Sequence, residues 1–221
     1  MSSSATASAA RRPADLRTQR SQASRRRVID ATIACIAEDG FARASTTRIA
    51  RRAGVTWGVL QHQFGDKAAM LEAVVDRVLE VGTQMADGER IPGDTSAERV
   101  VALERLIWRG FQTPTYRALL EIQLHSGHGD VGLDLADRAT TGLARARDQV
   151  ARRWFEDLGI TRRTSRAALS VLFGGLRGLA LEANTSRRPA RFEQERKLIV
   201  EAVIRALDEG DGSSRKRKGT R

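Results

Sequence analysis

Between about Gln22 and Leu207, apolar residues return again and again at i, i+3, i+4 and i+7, and no stretch of strand length alternates strictly between apolar and polar. Only a turn of about 3.6 residues gathers such residues onto one face, so the spacing restricts the chain to helices that bury that face together. The predicted fold class is all-α, with about nine helices. The first runs from about Gln22 to Asp39, with Ile29, Ile33 and Ile36 on one stripe and Gly40 as its stop. Two short segments follow, then a longer one from Asp66 to about Met85 carrying Leu71, Val74, Val75, Val78 and Leu79. The polar stretch from Ala86 to Ser96 reads as a loop. Periodicity resumes from about Ala97 to Phe111, Thr115 to His125, Asp130 to Leu158, Arg162 to Asn184, and Pro189 to Leu207.

Charge divides the chain more sharply than hydrophobicity does. Of the formal +11, residues 1–27 hold +6 and residues 210–221 hold +4, which leaves +1 for everything between. The expected organisation is a flexible basic arm over 1–20, a first helical domain over 21–67, a larger one over 68–209 and a basic disordered tail over 210–221. Such tails bind polyanions with little sequence preference, or serve only as solubilising ends. Within the near-neutral body, Gly40 to Lys67 carries Arg43, Arg48, Arg51, Arg52 and Lys67 against Asp66 alone, which reads as a local basic patch. The single cysteine, Cys35, excludes an intrachain disulfide and a cysteine metal cage, and its place in a helix suits a packed thiol. No apolar run approaches the roughly 20 residues needed to span a bilayer, and a reducing cytoplasm is the expected compartment.

The segment from Ser45 to Phe64 reads as two short helices around a tight turn. Ser45 caps the first, Ile49, Ala50 and Ala53 face inward, Gly54 makes the turn, and Thr56 caps the second. At about 100° per residue, Leu60 and Phe64 point to the core while Gly58, Gln61 and His62 face outward. A short exposed helix with small or hydrogen-bonding residues at its tip suits the DNA major groove, because bulk would block approach and phosphates favour the helix N-terminus.

Gly40-Phe41, Ser45, Ile49-Ala50, Ala53-Gly54-Val55-Thr56, Gly58, Leu60, Phe64 and Lys67-Ala68-Ala69-Met70-Leu71 together resemble the DNA-binding signature of the TetR family of bacterial repressors, over roughly residues 25 to 71. The resemblance implies contacts to double-stranded DNA from Thr46 and Thr47 at the start of the second helix, and from Trp57, Gly58, Gln61, His62 and Gln63 of the recognition helix. Lys67 would hold the phosphate backbone, with Ser45 and Thr56 completing the DNA-binding set. Two positions depart from the family. Gln61 stands where tyrosine is usual, replacing a phenol with an amide able to read adenine, and Trp57 stands where a small polar or basic residue is common. Trp57 lies only about 60° from Leu60, so packing on the domain and touching a thymine methyl are both open.

Other constellations carry less. His125, His128 and Asp130 could approach one metal, but Gly127 and Gly129 favour two loop histidines; no metal and no cofactor is expected. No nucleophile elbow, phosphate loop or dinucleotide glycine pattern occurs, and the expectation is that the chain is not an enzyme. Gly174, Gly175 and Gly178 interrupt an apolar helix, which points to close helix approach or to room for a ligand. The resemblance favours the first. It implies a homodimer through the last two helices, with Gly174, Gly175, Gly178, Phe192, Ile199, Val203 and Leu207 at the interface. It also implies a small-molecule effector among the middle helices. Trp108, Phe111, Tyr116, Leu120, Gln123, Leu124, His125 and Phe173 combine apolar bulk with polar handles there, with core packing as the competing reading for each. The expected function is a sequence-specific repressor released from a palindromic operator by a largely apolar effector. The alternatives are a helical carrier or enzyme without a role in gene regulation, and a nonspecific nucleic-acid compactor.

Overall fold

The computed structural model describes residues 13–87, 91–125, 130–185 and 192–218. Among them are nine α-helices and no strand: α1 (Pro13–Asp39), α2 (Thr46–Ala53), α3 (Trp57–Phe64), α4 (Lys67–Asp87), α5 (Ser96–Phe111), α6 (Pro114–His125), α7 (Asp130–Phe155), α8 (Arg162–Thr185) and α9 (Glu193–Lys218). The chain is all-α as its periodicity predicts. A single 3-10 turn over Phe41–Arg43 joins α1 to α2.

Helix starts follow side-chain chemistry. Ser45 Oγ accepts from Arg48 N, Thr56 Oγ1 from Val59 N, Asp66 Oδ1 from Ala69 N and Thr113 Oγ1 from Tyr116 N, each satisfying an amide that a helix N-terminus leaves open. Thr95 and Glu98 form a reciprocal capping box on α5. Helix ends agree less well with the periodic segments. α1 begins at Pro13, so part of the expected flexible arm over 1–20 is helix; residues 1–12 lie outside the described residues. Proline suits a first helical position, and Ala14, Leu16, Arg17, Gln19 and Arg20 form helix well without making an apolar stripe. At the other end α9 runs on to Lys218, through most of the stretch expected to be a disordered tail; Arg215 to Lys218 are good helix formers, whereas Gly210, Gly212, Ser213 and Ser214 are not.

Two apolar clusters hold the helices together. One joins α1 to α4 with α6 and α7, through Val28, Ile36, Ile49, Leu60, Val74, Leu119, Ile122 and Ala139. The other joins α5, the second half of α7, α8 and α9, through Leu103, Ile107, Phe155, Leu169, Leu172 and Leu176. Lys67 is therefore no break in packing, because α4 shares its core with α1 on one side and α7 on the other. Trp108 and Phe111 touch both clusters.

The second cluster corrects part of the expected subunit interface. Val203 and Leu207 are wholly buried inside the chain, and Ile199 packs on the same core. Gly175 is explained within the chain as well. A Cβ placed there would lie 2.8 Å from Ile199 Cδ1, so the glycine leaves the Ile199 side chain of α9 its room against α8. The stripe over Phe192, Ile199, Val203 and Leu207 is thus mainly the face that α9 turns to α8 and α5, which one helix stripe cannot distinguish from a face turned to a second copy. Among the described residues no helix is long and apolar enough to cross a membrane.

Candidate nucleic-acid interface

The interface is built on α2 and α3. Gly54 ends α2 at φ 64, a left-handed conformation that costs glycine little, and this turns the chain into α3 within two residues. Leu60 and Phe64, 1% and 8% exposed, fix α3 to the core. Trp57, Gly58, Gln61 and His62 are left on its exposed face. Trp57 is 58% exposed, so of its two open roles packing on the domain is not the one it takes here. Ser45 and Thr47 are exposed at the start of α2, and Thr46 is half-buried. The capping oxygens of Ser45 and Thr56 are acceptors; a hydroxyl also carries a proton to donate, so capping is compatible with phosphate contact.

Two expected contacts sit differently. Gln63 is half-buried and its Oε1 is shielded without a hydrogen-bond partner, while its carbonyl accepts from Arg25 Nη1 at 3.0 Å. Arg25 also lies over the Phe64 ring at 4.3 Å. Arg25, one of the arginines behind the N-terminal charge excess, therefore ties α1 to the C-terminal end of the recognition helix, where a cation also complements the helix dipole. Lys67 Nζ lies 4.6 Å from the centre of the Phe41 ring, and burial pulls its pKa below the usual lysine value.

The local basic patch is smaller than its composition suggests. Arg52 pairs with both carboxylate oxygens of Glu38 at 2.6 Å, and Arg48 Nε lies 2.8 Å from Asp39 Oδ2. Hydrogen bonding from Arg52 holds the Glu38 carboxyl below its ordinary value. Both acids precede Gly40, just outside the basic stretch, and fasten α2 onto α1. Arg43 donates from Nε to the Asp39 carbonyl, and Arg51 is exposed.

Behind the interface, Phe41 joins it to α6. Its amide donates to Glu121 Oε2 at 3.2 Å, and its ring stacks on His125 with centroids 5.3 Å apart. His125 is thus placed against the turn that joins α1 to α2; His128 lies outside the described residues. Leu124 is 60% exposed. The other expected pocket residues divide. Tyr116 and Leu120 are buried side by side on α6, and Phe111 stacks on Tyr116 at 4.2 Å. Gln123 Oε1 accepts from Arg177 Nη2 at 2.7 Å. Trp108 is covered by Arg196 at 4.6 Å and meets the edge of Phe192, while Phe173 packs on the second cluster. Two clefts, about 490 Å³ between α1 and α4 and about 220 Å³ between α7 and α8, are lined mostly by charged side chains and include none of these residues.

Comparison with known proteins agrees with this geometry. Residues 28–74 match the family described as bacterial regulatory proteins, tetR family. Over 199 residues the chain is 31% identical to the HTH-type transcriptional regulator BetI of Cronobacter sakazakii, covering 83% of this chain and 90% of that protein. The fold resembles a putative transcriptional regulator from Pseudomonas aeruginosa PAO1 (TM-score 0.61, 23% identity, 91% and 94% of the two chains). It also resembles SmeT in its triclosan complex (TM-score 0.60, 23% identity, 84% and 91%). The chain belongs to the TetR family of DNA-binding transcription regulators, and that family is not one of enzymes.

Proposed function

We propose that this regulator is a repressor that binds a palindromic operator as a homodimer and leaves it when a small molecule enters the larger helical region. The observation that carries the reading is the face of α3: Trp57, Gly58, Gln61 and His62 stand exposed on a helix fixed from behind by Leu60 and Phe64. Trp57 offers an apolar surface to thymine methyl groups, Gln61 a bidentate amide to adenine, and His62 a donor to base or phosphate. Ser45, Thr46, Thr47, Thr56 and Lys67 surround that face with groups suited to phosphate, and Gln63 supports it from behind.

One helix of eight residues reaches only a few base pairs, so useful specificity calls for two copies on symmetric half-sites. The outer face of α8 and α9 suits that pairing. On α8, Val171, 56% exposed, shares a face with Gly174 and Gly178, where an added Cβ would meet nothing within 4 Å, and α9 adds Leu198, 65% exposed. Small residues let helices of two copies approach closely, and the apolar side chains then leave water. Ligand responsiveness draws support from the related fold of SmeT, whose structure holds triclosan.

Selection of duplexes from a random pool tests the reading directly. The expected product is an inverted repeat bound by two chains. Retention of every duplex equally, or binding of one chain per site, would remove it.

A further inference from the structure

Tyr116 is 6% exposed and its Oη has no hydrogen-bond partner. A buried hydroxyl left unsatisfied is a standing cost, and most proteins avoid it. Burial pushes the phenol up to about 12, with the charge of Arg177 acting the other way, so at neutral pH Tyr116 holds a proton ready to donate. Arg177 is half-buried on α8, and among the described residues it makes no ion pair; its Nη2 is spent on the neutral amide of Gln123. Tyr116, Leu120 and Gln123 recur at i, i+4 and i+7, so one face of α6 carries the phenol and the amide with leucine between them. Phe111 covers the phenol ring from the end of α5. This set holds several donors and one uncompensated cation, with apolar walls.

We infer that the effector is an organic acid, its carboxylate held by Arg177, Tyr116 and Gln123 and its apolar body lying along Leu120 and Phe111. This rests on the ligand-responsive reading above and names the ligand's chemical class. A carboxylate matches the guanidinium fork, gives the phenol an acceptor and takes the donors of the Gln123 amide. Bound there, it draws Arg177 of α8 and Tyr116 and Gln123 of α6 onto one anion, and so changes how α6 sits against α8. The opposite side of α6 carries Glu121 and His125, which hold Phe41 by its amide and its ring, and Phe41 in turn lies under Lys67. Displacing α6 therefore acts on the joint between α1, α2 and α4. DNA and acid then disfavour each other reciprocally.

The test uses the full-length protein with octanoate and benzoate as acids, octanamide and benzamide as neutral counterparts, and octyltrimethylammonium as a cation. Calorimetry reads binding, and fluorescence anisotropy reads release of the selected duplex. At least one acid should bind and release DNA while its amide binds about tenfold more weakly or worse. Arg177→Gln should weaken acid binding about tenfold or more, and Tyr116→Phe severalfold. Tyr116→Phe separates binding from structure. Without ligand it removes an unsatisfied hydroxyl, so its melting temperature should equal or exceed that of the parent. Three results overturn the inference: neither acid binds, the amides or the ammonium bind as tightly as the acids, or both variants bind acid unchanged. Release of DNA by the ammonium or an amide would sink the acid class alone, whereas absence of any duplex preference would sink the repressor reading itself.

Discussion

Trp57 and Gln63 lie on either side of Leu60 at about the same angle, roughly 60° around α3, yet one is exposed and the other half-buried. Nothing in the periodicity of α3 separates them. What separates them is α1, which covers the Gln63 side through Arg25 and leaves the Trp57 side open. Residue roles set by angle alone, such as Leu60, Phe64, Gln61 and His62, are legible in the sequence; those set by a neighbouring helix are not. Trp57→Ala should leave the unfolding free energy from urea titration within about 0.5 kcal/mol of the parent, as for other solvent-exposed positions, while weakening operator binding. Leu60→Ala should cost about 2–5 kcal/mol of stability, because it opens a cavity under the recognition helix. Gln61→Ala and His62→Ala should each cost about 1–3 kcal/mol of operator affinity with no change in melting temperature. A gel-shift midpoint that does not move in either variant would take that residue off the base-contact face.

At the scale of elements, the caps and the stops are what a sequence reveals. Ser45, Gly54, Thr56 and Gly40 act locally, within four residues, so they can be read without a fold. Ion pairs between elements cannot be read this way. Glu38 and Asp39 are adjacent acids on one helix and point apart, and only the fold shows that they point toward Arg52 and Arg48 of α2. Asp157 has the same character. It meets buried Arg99 at 2.5 and 2.7 Å, and Arg99 also donates to the carbonyls of Trp154 and Gly93, pinning the segment before α5 to the end of α7. Hydrogen bonding from Arg99 holds the Asp157 carboxyl below its ordinary value. A carboxyl lowered on folding stabilises above its unfolded pKa of about 4, and that contribution fades as pH falls through the folded value. Asp157→Asn should therefore lower stability at pH 7 by less than about 1 kcal/mol, since the carboxylate is largely exposed and screened. The gap between variant and parent in urea titrations should narrow below a pH of about 4. A gap that stays constant with pH would mean the pair contributes geometry and no charge.

Over the whole molecule, charge and specificity occupy different places. The pairing of Arg48 and Arg52 leaves the helix-turn-helix with less free positive charge than its composition suggests, while the excess sits at the two ends of the chain. The helical start of α1 changes what the N-terminal excess can do. From Arg25, docked on the C-terminal end of α3, back to Pro13 the helix spans about 18 Å at about 1.5 Å per residue. Arg17 and Arg20 are exposed along that rod, so they are carried at a fixed distance from the recognition helix and need not be gathered from a flexible arm. Phosphate contacts made this way add affinity to any duplex and lower the entropy cost of each contact, without reading bases. Deleting residues 1–20 removes Arg11, Arg12, Arg17 and Arg20 against Asp15. For every phosphate that the shortened chain no longer neutralises, the slope of log affinity against log salt should become shallower by about 0.9. The ratio of operator to random-duplex affinity should stay within about twofold, because neutralising phosphates carries no sequence information. Anisotropy titrations over a range of salt, on both duplexes, measure the two quantities separately. A fall in the ratio with the slope unchanged would place this end of α1 in a groove, reading bases, and would make the helix part of the recognition surface.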